Sequence, residues 1–268
     1  MKFADCHIDT LSYIYDRNMS LVFNKAHVDL ERIKKFDDYF AFWAVFIHPK
    51  YKEPKKRALD IINYSPYVFP LSIENCSCFE AIGDVKLFYN LGVRMGTLVW
   101  NNENKIIMND KVTDFGIEVI KEMERLSMII DVSHASEKAF WDICKYTTKP
   151  IFASHSNCYS ITPHIRNLKD EQIKEIFNRA GFIGANLYKK FSGKSIVLHI
   201  EYLLKLGGED HIGIGSDFDG CDKFAHDISG LEDVCIIKEF LEKEFGDRRA
   251  EKILYENLTN IVKSIDKL

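Results

Sequence analysis

The chain has 268 residues, of which 46% are hydrophobic and 13% aromatic, so it can bury a large core. Its formal net charge of -4, with no basic stripe along the chain, argues against a nucleic-acid partner. No stretch is as apolar as a membrane span, and the start Met1–Asp5 turns polar before a signal segment can form, which predicts a cytoplasmic protein without membrane contact.

Eight short apolar runs recur along the chain, which is the pattern of buried parallel strands. The predicted strands are Phe3–Asp9, Tyr39–Ile47, Phe69–Glu74, Val93–Trp100, Met128–His134, Pro150–His155, Phe182–Tyr188 and Ile212–Asp217. Segments with helical spacing lie between them, for example Phe115–Met123, Ile173–Phe177 and Ile196–Leu204. Eight β-then-α units predict one α/β domain over residues 1–268, a closed (β/α)8 TIM barrel, with an open doubly wound sheet as the structural alternative.

Ionisable side chains stand at the ends of five predicted strands, where the active site of a parallel barrel forms. Strand one ends with His7 and Asp9, which strand alternation places on the same side. One such group alone is more often a cap, but several buried together without a cation would repel one another and lose hydration. Imidazoles and carboxylates together are ligands for divalent metals such as zinc. The later strand ends contribute Glu74, His134, His155, Asp217 and Asp219.

These groups are more than one tetrahedral ion needs, which favours two metal ions with one bridging carboxylate. Such a pair can hold a bridging hydroxide and stabilise the charge that develops on an attacked carbonyl. Asp217 and Asp219 are both candidates for moving the proton, and Asp217 is better placed because it lies nearer the strand. Surface, loop or packing roles are expected for the histidines without this placement, His27, His48, His164, His199 and His226.

Several short motifs occur in one order along nearly the whole chain. They are Asp5–Asp9, His27–Arg32, Phe42–Phe46, Leu91–Arg94, Asp131–His134, Ser154–Asn157, Arg166–Asn167 and Gly215–Gly220. In these motifs the chain resembles the membrane (renal) dipeptidase family of zinc peptidases, as a compact bacterial-type member. The resemblance implies that His7 and Asp9 hold one zinc ion, that His134 and His155 hold the other, and that Glu74 bridges the two.

The same resemblance implies roles for residues around the metals. Asp217 would be the acid/base, and Arg166 would grip the substrate's carboxylate or developing oxyanion, a task that suits a guanidinium fork. Tyr188, at the end of strand seven, is expected to line the pocket. Where animal members carry a histidine after strand four, this chain has Trp100, whose indole can donate one hydrogen bond and wall the pocket.

The sequence therefore predicts a metal-dependent hydrolase with shortened loops that uses two Zn²⁺ ions to cleave dipeptides, and it leaves a homodimer open. The segment from Pro49 to Tyr64 is short for the family and bears on specificity and dimer contacts more than on metal chemistry. One alternative is another metal-dependent amidohydrolase, acting on a cyclic amide, an acyl-amino acid or a lactone. A second alternative is a barrel that keeps its metals but has lost turnover.

Overall fold

The computed structural model describes residues 1–64 and 70–265. Eight parallel strands form a closed barrel in which each strand pairs with the next along the chain and the last pairs with the first. They are β1 (Lys2–Ile8), β2 (Asp38–Phe46), β3 (Leu71–Glu74), β4 (Val93–Thr97), β7 (Ile129–Asp131), β8 (Ile151–Ala153), β9 (Phe182–Asn186) and β10 (Ile212–Gly215). Two further short strands, β5 (Ile107–Met108) and β6 (Lys111–Val112), form a separate antiparallel hairpin between β4 and β7.

The closed barrel confirms the (β/α)8 prediction and rules out the open sheet. All eight predicted barrel strands are present, although Phe69, the predicted start of strand three, lies outside the described residues. The hairpin was not predicted. Its turn residues Asn109 and Asp110 both have positive φ, at 52° and 59°, which is the signature of a two-residue hairpin turn that their residue types favour.

Helices follow the strands around the barrel. They are α1 (Thr10–Arg17), α2 (Leu30–Ile33), α3 (Pro54–Tyr64), α4 (Ile82–Asn90), α5 (Asp114–Arg125), α6 (Glu137–Tyr146), α7 (Asp170–Asn178), α8 (Lys189–Ser192), α9 (Ile196–Lys205), α10 (Val234–Phe245), α11 (Asp247–Glu251) and α12 (Asn257–Ile265). A π-helical turn, Lys252–Glu256, joins the last two. The predicted helical segments lie in α5, α7 and α9. Hydroxyl groups cap the N-termini of α5 and α6, since Thr113 Oγ1 accepts from the Gly116 backbone N–H and Ser136 Oγ from the Ala139 backbone N–H.

Two apolar clusters make the core. The larger one packs the strands against the surrounding helices. The smaller one joins residues early in several strands, such as Ala4, Ile129 and Phe182, to Leu258 and Val262 of α12. The carboxyl ends of the strands are thereby left for polar side chains. In the part of the chain that the structure describes, no helix combines the length and apolar character needed to cross a membrane.

The backbone leaves regular geometry where the strands end. Asn75, His134, Asp217 and Asp219 all have positive φ, between 64° and 71°. This region is sparsely populated by residues other than glycine, and such conformations cluster at functional sites. The strand ends therefore aim their polar side chains through turns that depart from the extended ladder.

Candidate metal centre

The first pair of predicted ligands meets directly. His7 Nε2 lies 3.2 Å from Asp9 Oδ2, and both side chains are buried. Alternation along a regular strand is only part of the cause, because β1 ends at Ile8 and its pairing with β2 shifts register between Asp5 and Ile8. Asp9 itself stands at the start of α1, and its Oδ1 is buried without a hydrogen-bond partner among the described residues.

Glu74, at the end of β3, lies among three imidazoles. Its Oε2 is 3.8 Å from His7 Nε2, whereas its Oε1 is 2.8 Å from His134 Nε2 and 3.7 Å from His155 Nε2. The two latter nitrogens are only 2.9 Å apart. One carboxylate therefore faces His7 with one oxygen and the His134–His155 pair with the other.

The residues fit divalent metal ions. His7, Glu74 and His155 place one ligand atom each within 4.8 Å of one another, and so do His7, Asp9 and Asp217. Converging imidazole nitrogens and a buried, unpartnered carboxylate oxygen are unfavourable together unless a cation is shared among them. The structure thus brings all five predicted ligands to one place. The two close sets share His7, so the division of ligands between two ions rests on the resemblance.

Burial and neighbouring charges shift the pKa values of this cluster in opposite directions. Burial, reinforced by Asp9, raises the pKa of Glu74 well above its usual range. Burial also opposes the charged form of His7, but the carboxylates of Asp9 and Glu74 outweigh it and raise the pKa of His7 to about 10. Burial lowers the pKa of His134 and of His155 well below the usual value, which keeps their nitrogen lone pairs free to bind a metal.

Asp217 follows β10 and lies beside the His7–Asp9 pair. Its Oδ2 accepts a 3.0 Å hydrogen bond from Asn186 Nδ2, and burial, with Asp9 next in effect, raises its pKa. Asp219, the other candidate for proton transfer, is already engaged. Its carboxylate accepts from Thr10 Oγ1 at 2.5 Å and from the His27 backbone N–H at 2.8 Å, so it joins the start of α1 to the segment before α2.

A cavity of about 880 Å³ opens above the cluster. Arg166 reaches it from the loop between β8 and α7, and its Nε and Nη2 are buried without a hydrogen-bond partner among the described residues. Uncompensated buried guanidinium donors favour an anionic guest. The three predicted substrate-binding residues Arg166, Trp100 and Tyr188 all line this cavity.

Trp100 belongs to an aromatic wall. Its ring centroid lies 5.1 Å from that of Phe46, 5.4 Å from His48 and 5.8 Å from His134. Tyr188, which also lines the cavity, precedes α8 and packs edge-on to Phe191 with ring centroids 4.9 Å apart. The cavity lining therefore combines aromatic rings with residues of the histidine–carboxylate cluster, such as Glu74 and His134.

Three residues that the sequence reasoning missed touch the predicted ones. Asn101 Oδ1 lies 3.0 Å from His134 Nδ1, and Asn186 donates to Asp217. A Cβ on Gly220 would stand 2.3 Å from carboxylate oxygens of both Asp9 and Asp217. Asn101 and Gly220 were visible as neighbours of predicted residues, but only the folded chain shows what they contact.

Fold and site together define a class of protein, a (β/α)8 barrel with a buried histidine–carboxylate cluster at the carboxyl ends of its strands. Residues 65–268 match the membrane dipeptidase family, peptidase family M19. Since this match spans more than half of the chain, the protein belongs to that family. The matched segment includes Glu74, His134, His155 and Asp217, whereas His7 and Asp9 precede it.

Individual relatives agree with this assignment. An uncharacterized protein of the pqqA 5′ region of Klebsiella pneumoniae is 34% identical over 220 residues, which are 72% of this chain and 80% of that protein. The dipeptidase tcpJ of Claviceps purpurea is 28% identical over 202 residues, 68% of this chain but only 47% of the relative. This chain therefore spans about half the length of that curated dipeptidase.

A solved structure shows the same fold. It is a metallo peptidase from Rhodobacter sphaeroides liganded with a phosphinate mimic of the dipeptide L-Ala-D-Ala. Its TM-score to this chain is 0.87 at 21% sequence identity, and the alignment covers 98% of this chain and 99% of the other. At that identity the likeness is one of fold.

Proposed function

We propose that the protein is a zinc-dependent dipeptidase that binds two Zn²⁺ ions at the carboxyl ends of its barrel strands. The observation that supports this proposal most directly is that the two carboxylate oxygens of Glu74 face different imidazoles. His7 and Asp9 would hold one ion, His134 and His155 the other, and Glu74 both. Two bound ions would lower the pKa of a water shared between them and stabilise negative charge on the substrate oxygen.

Asp217 is proposed to carry the proton from the attacking water to the leaving amine. It lies in the same close set as His7 and Asp9, and its Oδ2 is oriented by the amide of Asn186. Burial raises its pKa, which favours a group that must release a proton as well as accept one. Asp219 is unsuited, because Thr10 and His27 already occupy its carboxylate.

Arg166 is proposed to bind the carboxylate of the dipeptide. Two of its buried nitrogens have no partner among the described residues, and the cavity that it lines also contains Glu74 and Asp217. A substrate carboxylate would supply the missing acceptors with paired, charge-assisted hydrogen bonds. Trp100 and Tyr188 would then bound the two side-chain positions of the substrate.

Glu74→Gln tests the proposal, since it keeps the shape of the side chain while removing its charge. We expect it to lose bound zinc and to hydrolyse no member of a dipeptide panel, as should the wild type after chelation. Glu118→Gln, at an exposed position on α5, is the matched control and should retain zinc and activity. Undiminished hydrolysis by Glu74→Gln would contradict the proposed centre.

A second candidate keeps the centre and changes the substrate to a cyclic amide, an acyl-amino acid or a lactone. It is favoured by Trp100, which stands in an aromatic wall at the position where the family resemblance leads one to expect a histidine. Screening these compounds beside dipeptides separates the two candidates. Zinc binding without hydrolysis of any of them would instead support a barrel that has lost turnover. A single domain and a cytoplasmic location stay predictions from the sequence, and a homodimer stays open.

A further inference from the structure

Ser154 lies directly behind the predicted ligand His155. Its Oγ is 2.8 Å from His155 Nδ1, on the side of the imidazole ring opposite to the nitrogen that faces Glu74. The same oxygen is 3.5 Å from His7 Nδ1, at the limit of a hydrogen bond. Ser154 is completely buried, so no bulk water competes for these contacts.

The single hydroxyl proton of Ser154 is already committed. Ser154 Oγ donates at 2.7 Å to Asp131 Oδ2, which also accepts from Thr97 Oγ1 at 2.6 Å. The other oxygen of Asp131 accepts the backbone N–H groups of Ser133 and Ser154 at 3.0 and 2.9 Å. Asp131 therefore receives four hydrogen bonds at a fully buried position, as a carboxylate acceptor can.

The direction of the hydrogen bond from Ser154 to Asp131 decides the tautomer of the His155 imidazole. A serine hydroxyl has one proton and two lone pairs, so Ser154 can only accept from His155 once its proton points to Asp131. His155 must then carry its proton on Nδ1, which leaves the Nε2 lone pair toward Glu74 and His134. Metal-binding histidines are commonly held by such a contact on their other ring nitrogen.

The backbone of Ser154 is closely packed against two glycines. Its carbonyl oxygen would be 2.0 Å from a Cβ at Gly184 and 1.9 Å from a Cβ at Gly215. Both positions therefore require glycine for β9 and β10 to approach Ser154 this closely.

We infer that Ser154, with its proton held by Asp131, is a positioning residue that fixes His155 in the Nδ1–H tautomer and thereby sets zinc affinity. This inference rests on the proposed zinc centre. It concerns a residue that touches neither substrate nor metal in the proposed arrangement, and it predicts a loss of affinity rather than a loss of fold.

Zinc dissociation constants measured by competition with a chromophoric chelator test the inference on the full chain. Ser154→Ala should raise the dissociation constant by about 10- to 100-fold, the range typical for lost contacts behind metal ligands. Asp131→Asn should do the same without truncating any side chain, because an amide NH₂ facing Thr97 and Ser154 reverses the hydroxyl direction. Melting temperatures of the metal-stripped variants report whether each one is folded.

Ser156→Ala is the matched control. Ser156 is buried in the same segment, and its Oγ has no hydrogen-bond partner among the described residues. The zinc dissociation constant of Ser156→Ala should therefore equal that of the wild type. An unchanged dissociation constant in folded Ser154→Ala would overturn the inference. A wild type that binds no zinc would overturn both the inference and the proposed function. If the wild type binds zinc but cleaves no dipeptide, only the proposed function fails, and the affinities still decide the inference.

Discussion

Gly220 offers a sharp test of the site, because it is the point where added volume would strike two proposed functional carboxylates at once. A Cβ there would lie 2.3 Å from Asp217 Oδ1 and 2.3 Å from Asp9 Oδ2. Gly220 follows Asp219 on the loop after β10, and its N–H donates to the Asp217 carbonyl at 3.0 Å. Gly220→Ala therefore perturbs the site by a single methyl group.

The size of the effect follows from these distances. Ordinary van der Waals contact begins near 3.4 Å, so each oxygen must move by about 1 Å, or the loop must shift by a similar amount. Both carboxylates are buried and engaged, Asp9 with His7 and Asp217 with Asn186. Because misplacing catalytic groups by ~1 Å can cost about 100-fold in rate, we expect kcat/KM for dipeptides to fall about 100-fold.

The assay compares kcat/KM and zinc content with those of Gly83→Ala. Nothing lies within 4 Å of a Cβ at Gly83, which is in α4, so that control should keep full activity and gain slightly in helix stability. If Gly220→Ala keeps both the kcat/KM and the zinc content of the wild type, then Asp9 and Asp217 are not the groups that the chemistry uses.

Two further predictions follow from buried charged groups. Arg166→Met should raise KM for dipeptides by roughly 10- to 100-fold, since charge-assisted hydrogen bonds contribute about 1.5–3 kcal/mol, while leaving hydrolysis of a dipeptide amide nearly unchanged. An equal loss on both substrates in steady-state assays would refute the carboxylate contact. Burial raises the pKa of Asp5 from 3.8 to about 7 in the folded chain, so the folded state favours the protonated carboxyl. The contribution of Asp5 to the free energy of unfolding is therefore fully present below pH 4 and is lost as the pH rises through 7. Urea unfolding of the metal-stripped proteins gives the free energy of unfolding of Asp5→Asn and of the wild type. The difference in favour of Asp5→Asn should grow by about 3 kcal/mol from pH 5 to pH 8, and a pH-independent difference would contradict this.

The barrel was predictable because buried parallel strands produce short apolar runs that sequence alone can detect. The positions at which the strands end were not predictable. The predicted strand Met128–His134 exceeds β7, which stops at Asp131, and His134 then turns to a φ of 71°. Composition does not show where the ladder ends, because apolar residues such as Val132 continue beyond it. The converging side chains could be named from the sequence, but the turns that aim them could not.

The choice between Asp217 and Asp219 shows a second limit. They are the same residue type two positions apart, and the sequence separated them only by distance from the strand and by the family resemblance. In the fold they differ because Thr10 and His27, about 200 residues earlier, take the carboxylate of Asp219. Contacts at that separation follow from barrel closure and are invisible to local pattern.

Barrel closure and assembly of the site are one structural event. The Asp9 N–H donates to the Phe218 carbonyl at 2.7 Å, and the Asp217 N–H donates to the His7 carbonyl at 3.1 Å. These two bonds join the end of β1 to the segment after β10, and they place the His7–Asp9 pair beside Asp217. His7 and Asp9 lie outside the segment that matches the family. On the other side of β1, the pairing of β1 with β2 and of β2 with β3 brings His7 within 3.8 Å of Glu74. The segment that matches the family contains Glu74, His134, His155 and Asp217, and the barrel topology adds His7 and Asp9 to them.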